Sequence, residues 1–150
     1  MLEGLGFLST ICLDPMRFVE KEVLFNIDNM ATVSALRKGD SGDSWATTLI
    51  RAARVVAAAI GCSLYANWTR RRSSVETRIA DDLTHNLLTE LSDDEVQAYV
   101  EFGQVTFPKP ILMWMANPGP DRSLGHKCLQ WLVANHPGLQ IIRPRSLNIL

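Results

Sequence analysis

Val23-Leu24-Phe25-Asn26-Ile27-Asp28-Asn29 is a short apolar run that stops on an acid and an amide. Apolar and β-capable residues from Glu22 to Ile27 predict a buried strand. Either Asp28 or Asn29 can cap the helix that follows, whose apolar positions are Ala31, Val33, Ala35 and Leu36. A strand that runs straight into a helix puts its last residue at the C-terminal edge of a sheet, where open α/β folds bind ligands. Asp28 is therefore both a candidate ligand and a candidate cap. An Ala-Asp pair, Ala80-Asp81, opens a helix some fifty residues later.

Working outward, Leu2, Leu5, Leu8, Ile11 and Cys12 recur at helical spacing, and Asp14-Pro15 ends that helix because the residue before a proline disfavours the helical region. Gly39 to Ser44 is rich in turn residues. The Ala-rich segment Trp45 to Ile60 predicts the strongest helix, stopped by Gly61. Cys62 to Trp68 reads as a second strand, and Thr69 to Ser74 as a polar loop carrying Arg70, Arg71 and Arg72. Ser73 with Glu76, and Ser92 with Glu95, form capping-box patterns that open helices to about Leu88 and Phe102. Pro108 and Pro110 interrupt the chain before the run Ile111 to Met115; Leu124 to Asn135 reads as helical and Leu139 to Ile142 as extended.

This order predicts an α/β fold with two parallel strands joined through helices, followed by a helical C-terminal extension. Parallel sheets normally have more strands and are covered on both faces. The pattern therefore implies that strands completing the sheet lie outside the chain. The composition shift near 86–92 divides it into residues 1–90 and an extension, 91–150.

The net charge of −1 conceals a polarity: eight basic residues and three acids fall between 37 and 78, and seven acids with no Lys or Arg between 81 and 101. The basic half can meet a polyanion, while the chain as a whole lacks a polyanion-binding signature. Cys12, Cys62 and Cys128 are far apart and without metal-ligand spacing, which fits thiols in a reducing compartment. The start has no signal-peptide pattern, and the longest apolar stretch is too short to span a membrane. The expectation is an intracellular protein, cytoplasmic or nuclear, with no membrane partner.

Three acids stand where chemistry can use them: Glu3 on the first helix, Asp28 at the first strand's end, and Asp81 on the helix after the basic loop. Carboxylates suit hard divalent cations. Two such ions about 4 Å apart stabilise both the attacking and the leaving oxygen of a phosphodiester displacement.

The run from Phe25 to Gly39, with Asp28-Asn29, Ala31, Val33 and Lys38-Gly39, resembles a stretch of the ribonuclease H domain in retrotransposon reverse transcriptases. Trp68 to Ser74, followed by Ile79-Ala80-Asp81-Asp82-Leu83-Thr84, is similar to that domain's final strand, basic loop and Ala-Asp helix, and Leu2-Glu3 to the head of its acid-bearing helix. The resemblance covers residues 2 to about 86 and implies a partial ribonuclease H-like fold. The family has a five-stranded mixed sheet and four catalytic acids. By resemblance, Glu3, Asp28 and Asp81 are three of these, as catalytic and metal-ligating residues. The strand bearing the remaining acid, with its two neighbours, would precede Met1.

The implied activity of the intact family is metal-dependent hydrolysis of RNA in RNA–DNA hybrids through a two-ion Mg2+ site, within a polyprotein whose polymerase portion lies upstream. Arg70, Arg71 and Arg72 would contact phosphates, which positions a duplex without reading its sequence. With one acid missing, the isolated chain is expected to have little or no nuclease activity. The alternative expectation is a non-catalytic remnant that acts as a nucleic-acid or protein interaction module.

Overall fold

The computed structural model describes residues 2–75, 78 and 107–142, with side chains from Leu5 onward. Helix α1 spans Leu2–Leu13 and is followed by a 3-10 turn at Pro15–Arg17. Strand β1 (Glu22–Ile27), helices α2 (Met30–Lys38) and α3 (Ser44–Ala59), and strand β2 (Ser63–Trp68) follow in order. Helices α4 (Lys109–Ala116) and α5 (Leu124–Asn135) complete the described elements. The expected α/β class holds. Among the described residues the sheet consists of β1 and β2, parallel and in register from Glu22 opposite Ser63 to Ile27 opposite Trp68.

The helix boundaries have local causes. Asn29, not Asp28, caps α2: its Oδ1 accepts from Thr32 N at 3.2 Å. Asp43 caps α3 by accepting from Trp45 N at 2.9 Å. Gly39 and Gly61 end α2 and α3 at φ of 75° and 74°, a left-handed conformation that costs a glycine little. The prolines expected to interrupt the chain instead open a helix. Pro108 precedes α4 and Pro110 occupies its first turn, where a missing N–H would have had no helical partner. Leu139 to Ile142 does not form a strand. That segment returns to the C-terminal end of α3, where Ile142 N donates to Ala59 O at 2.6 Å.

Helix α3 is the centre of the packing. Its buried Leu49, Ala52, Ala53, Val56 and Ala57 join Leu5, Leu8, Ile11 and Cys12 of α1, Ile111 and Trp114 of α4, and Leu124, Cys128 and Leu132 of α5 in one hydrophobic core. Full burial of a side chain such as Leu8 or Ile11 contributes about 2 kcal/mol. The small residues of α3 let α5 approach closely: a Cβ placed on Gly125 would lie 2.9 Å from Val55 Cβ and 3.3 Å from Ala52 Cα. The division expected near 86–92 lies outside the described residues, and helices on either side of it share this core.

The strands bury one face. Val23, Phe25 and Leu64 pack on the core, and the Phe25 ring lies 4.1 Å from that of Phe7 on α1. Alternate residues face away, leaving Leu24 57% and Tyr65 53% exposed. This period-two pattern is that of a sheet covered on one side by the described elements.

Candidate nucleic-acid interface

Both strands end at the same edge, and their parallel register brings distant residues together there. The last pair is Ile27 and Trp68. Thr69 N continues the pairing to Ile27 O at 2.8 Å, and the Trp68 indole Nε1 donates to the Asp28 carbonyl at 3.2 Å. The loop after β2 then turns back on itself. Arg72 takes a left-handed φ of 56°, Ser73 N donates to Arg70 O at 3.2 Å, and the Thr69 and Ser73 hydroxyls lie 3.1 Å apart.

This turn places Arg71 over the end of β1, where its Nε donates to Asp28 Oδ2 at 2.9 Å. The two residues are 43 positions apart in the chain. The guanidinium is 65% exposed and the carboxylate 33%. An ion pair this wet adds at most about 1 kcal/mol to stability, so its interest is positional. It marks a cationic loop held against Asp28 at this edge. Arg70 and Arg72 are exposed on the same loop.

Of the residues expected to form a site, the structure brings Asp28 together with the Arg70–Arg72 loop. Glu3 lies in α1 without a described side chain, and Asp81 lies outside the described residues. A hard divalent cation such as magnesium requires several oxygen ligands. Of the three expected acids, the described side chains include Asp28 alone, with one oxygen already bonded to Arg71. Among the described residues no three His, Cys, Asp or Glu side chains converge. The described side chains supply one of the three expected ligands, and no hydrolytic step is derived from them.

Two participants were not apparent in the sequence. Trp68 ends the second strand, and its indole braces the backbone of Asp28. Arg37, at the end of α2, donates through Nε and a terminal nitrogen to Ala66 O, at 3.2 and 3.0 Å. It thereby caps a carbonyl of β2 that no strand among the described residues takes, a common way of blunting a sheet edge. Neither contact has a local sequence signal, because each depends on strand register.

Away from this edge, Asp40, Asp121 and the thiols have perturbed protonation. Asp121 accepts from the Ser123 hydroxyl at 2.6 Å and from Lys127 Nζ at 2.9 Å, which hold its carboxyl down to about 2. Its backbone N donates to Thr48 Oγ1 on α3 at 3.3 Å, so this acid fixes the entry to α5. Cys12 is held protonated by its hydrogen bond with Cys128 and by burial. No helix among the described residues is long and apolar enough to cross a membrane. No protein-family model, curated protein or solved structure matches this chain.

Proposed function

We propose that the chain is a portion of a ribonuclease H-like domain of the retroelement reverse-transcriptase type, and that it acts by binding an RNA–DNA hybrid at the C-terminal edge of its sheet. The observation that carries this reading is the Arg71–Asp28 contact across the ends of two parallel strands. It puts the acid of the first strand beside the basic loop after the second, the juxtaposition that the motif resemblance implies. Phosphates of the hybrid would engage Arg70, Arg71 and Arg72. Hydrolysis by Mg2+ belongs to the intact family and needs carboxylates beyond Asp28; this reading assigns the chain binding without cleavage.

The test is fluorescence anisotropy with a labelled RNA–DNA hybrid. Replacing Arg70, Arg71 and Arg72 by Gln is expected to weaken binding at least tenfold at low salt and to flatten the salt dependence, since each phosphate contact releases counterions. Equal affinity for the wild-type chain and the variant would refute the proposal. Magnesium-dependent cleavage of the hybrid, abolished by Asp28→Asn, would refute the assignment of binding without cleavage.

A second reading rests on a separate observation. Among the described residues β1 and β2 have no third strand beside them, and Leu24 and Tyr65 are exposed on the sheet's outer face. Such a sheet can accept strands from a protein partner, such as the upstream polymerase portion of a polyprotein. A concentration-independent monomer that also ignores that partner in light scattering would remove this reading.

A further inference from the structure

A cavity of about 670 Å³ lies between α2, α3 and β2, apart from the sheet edge. Arg37, Arg54, Leu36, Leu64, Tyr65 and Asn67 are among its walls, and no carboxylate occurs among the described residues that line it. Its two arginines come from different helices. Arg37 occupies the last turn of α2 and is fixed by its two bonds to Ala66 O. Arg54 reaches across from α3, and its guanidinium occupies the space where a Cβ on Gly39 would stand. Gly39, at φ of 75°, is the residue that ends α2. Its missing side chain is therefore what admits Arg54. The C-terminal end of a helix favours cations, which helps hold both guanidinium groups there.

Among the described residues no carboxylate pairs with either arginine. Two guanidinium groups that line one cavity, with no carboxylate among the described lining residues, can donate to an external anion. Guanidinium forks match phosphate oxygens in geometry as well as charge. The cavity is far larger than a phosphate needs and falls in the size range of small-ligand sites. Beside the arginines it offers the Tyr65 ring, half exposed, and the Asn67 amide. An aromatic face next to a cationic pair is the arrangement on which nucleotides bind, base against ring and phosphate against charge.

We propose that this cavity binds a nucleotide, its phosphate on Arg37 and Arg54 and its base against Tyr65. Neither Asp28 nor Arg70, Arg71 or Arg72 lines it, so the two readings fail independently. Tyr65 faces away from the core, and its exposure follows from that role without any partner on the outer face of the sheet.

Calorimetric titration of the full chain with adenosine 5′-monophosphate, inorganic phosphate and adenosine tests this. The nucleotide is expected to bind with a Kd below about 1 mM, more tightly than either fragment. Arg54→Gln changes an exposed side chain with no carboxylate partner among the described residues, and it should weaken the nucleotide at least about tenfold. Tyr65→Ala should weaken nucleotide and adenosine and leave phosphate unchanged. Thermal melts of both variants, expected to overlay that of the wild type, separate loss of the site from loss of the fold. Absence of nucleotide binding would overturn the proposal, as would binding that ignores Arg54→Gln or phosphate binding as tight as the nucleotide's.

Discussion

Two glycines in helices should respond to the same substitution with opposite sign. Gly6 lies in α1 and Gly125 in α5. Replacing a helical Gly by Ala gains about 1 kcal/mol of helix propensity where space allows. At Gly6 a Cβ meets nothing within 4 Å, so Gly6→Ala should stabilise by about 0.5–1 kcal/mol. At Gly125 the Cβ would fall 2.9 Å from Val55 Cβ, 3.0 Å from Val55 Cγ1 and 3.3 Å from Ala52 Cα. Those atoms belong to the backbone of α3 or to a branch point beside it, so relief requires α5 to move away. Overpacking of this kind costs about 1–3 kcal/mol. After the propensity gain, Gly125→Ala should destabilise by about 1 kcal/mol. Urea denaturation followed by tryptophan fluorescence reads both, as opposite shifts of the midpoint at constant slope. A Gly125→Ala protein as stable as Gly6→Ala would refute the close docking of α5 on α3, and with it the single core that joins the C-terminal helices to the α/β part.

Three further outcomes follow from the packing and its polar groups. Asp121 titrates lower in the folded chain, about 2 against an ordinary 3.8, so its stabilisation is complete above about pH 4 and is lost as the pH falls towards 2. That difference corresponds to about 2 kcal/mol at most, reduced to about 1 kcal/mol by the water reaching a side chain 25% exposed. Asp121→Asn should therefore cost about 1 kcal/mol at pH 7 and progressively less in melts from pH 4 downward; a pH-independent cost would contradict this. Ser9 buries a hydroxyl without a hydrogen-bond partner among the described residues, so Ser9→Ala should leave the melting temperature unchanged or raise it by a few degrees, and a loss above about 1 kcal/mol would contradict this. Cys12, Cys62 and Cys128 are all buried thiols and should react with a thiol reagent only in denaturant; rapid native labelling of Cys12 would contradict its place in the core.

The elements were legible because their signals are local. The run from Glu22 to Ile27, the Ala-rich helix ended by Gly61, and Leu124 to Asn135 each declare themselves by periodicity and a terminator. The cap of α2 was ambiguous because Asp28 and Asn29 are adjacent and both good caps, and the choice depends on which side chain can reach Thr32 N. Pro108 and Pro110 were misread because proline breaks a helix only from the inside and is at home in its first turn. Asp28 and the basic loop were visible one at a time. Their contact was not, because it requires the register of two strands joined through two helices. The cavity of Arg37 and Arg54 left no trace in the sequence, since Gly39 reads there as a turn residue and only the fold shows the arginine that crosses it.

The proposal that the edge holding Asp28 and Arg71 binds the phosphates of a hybrid can be tested by a single substitution. Hybrid affinity of the Asp28→Asn protein, measured by anisotropy at low salt and without divalent metal, tests it most directly. The substitution removes from the edge the negative charge to which Arg71 Nε donates. Tighter binding is expected, by about threefold to tenfold, with a steeper salt dependence. Unchanged or weaker binding would contradict it.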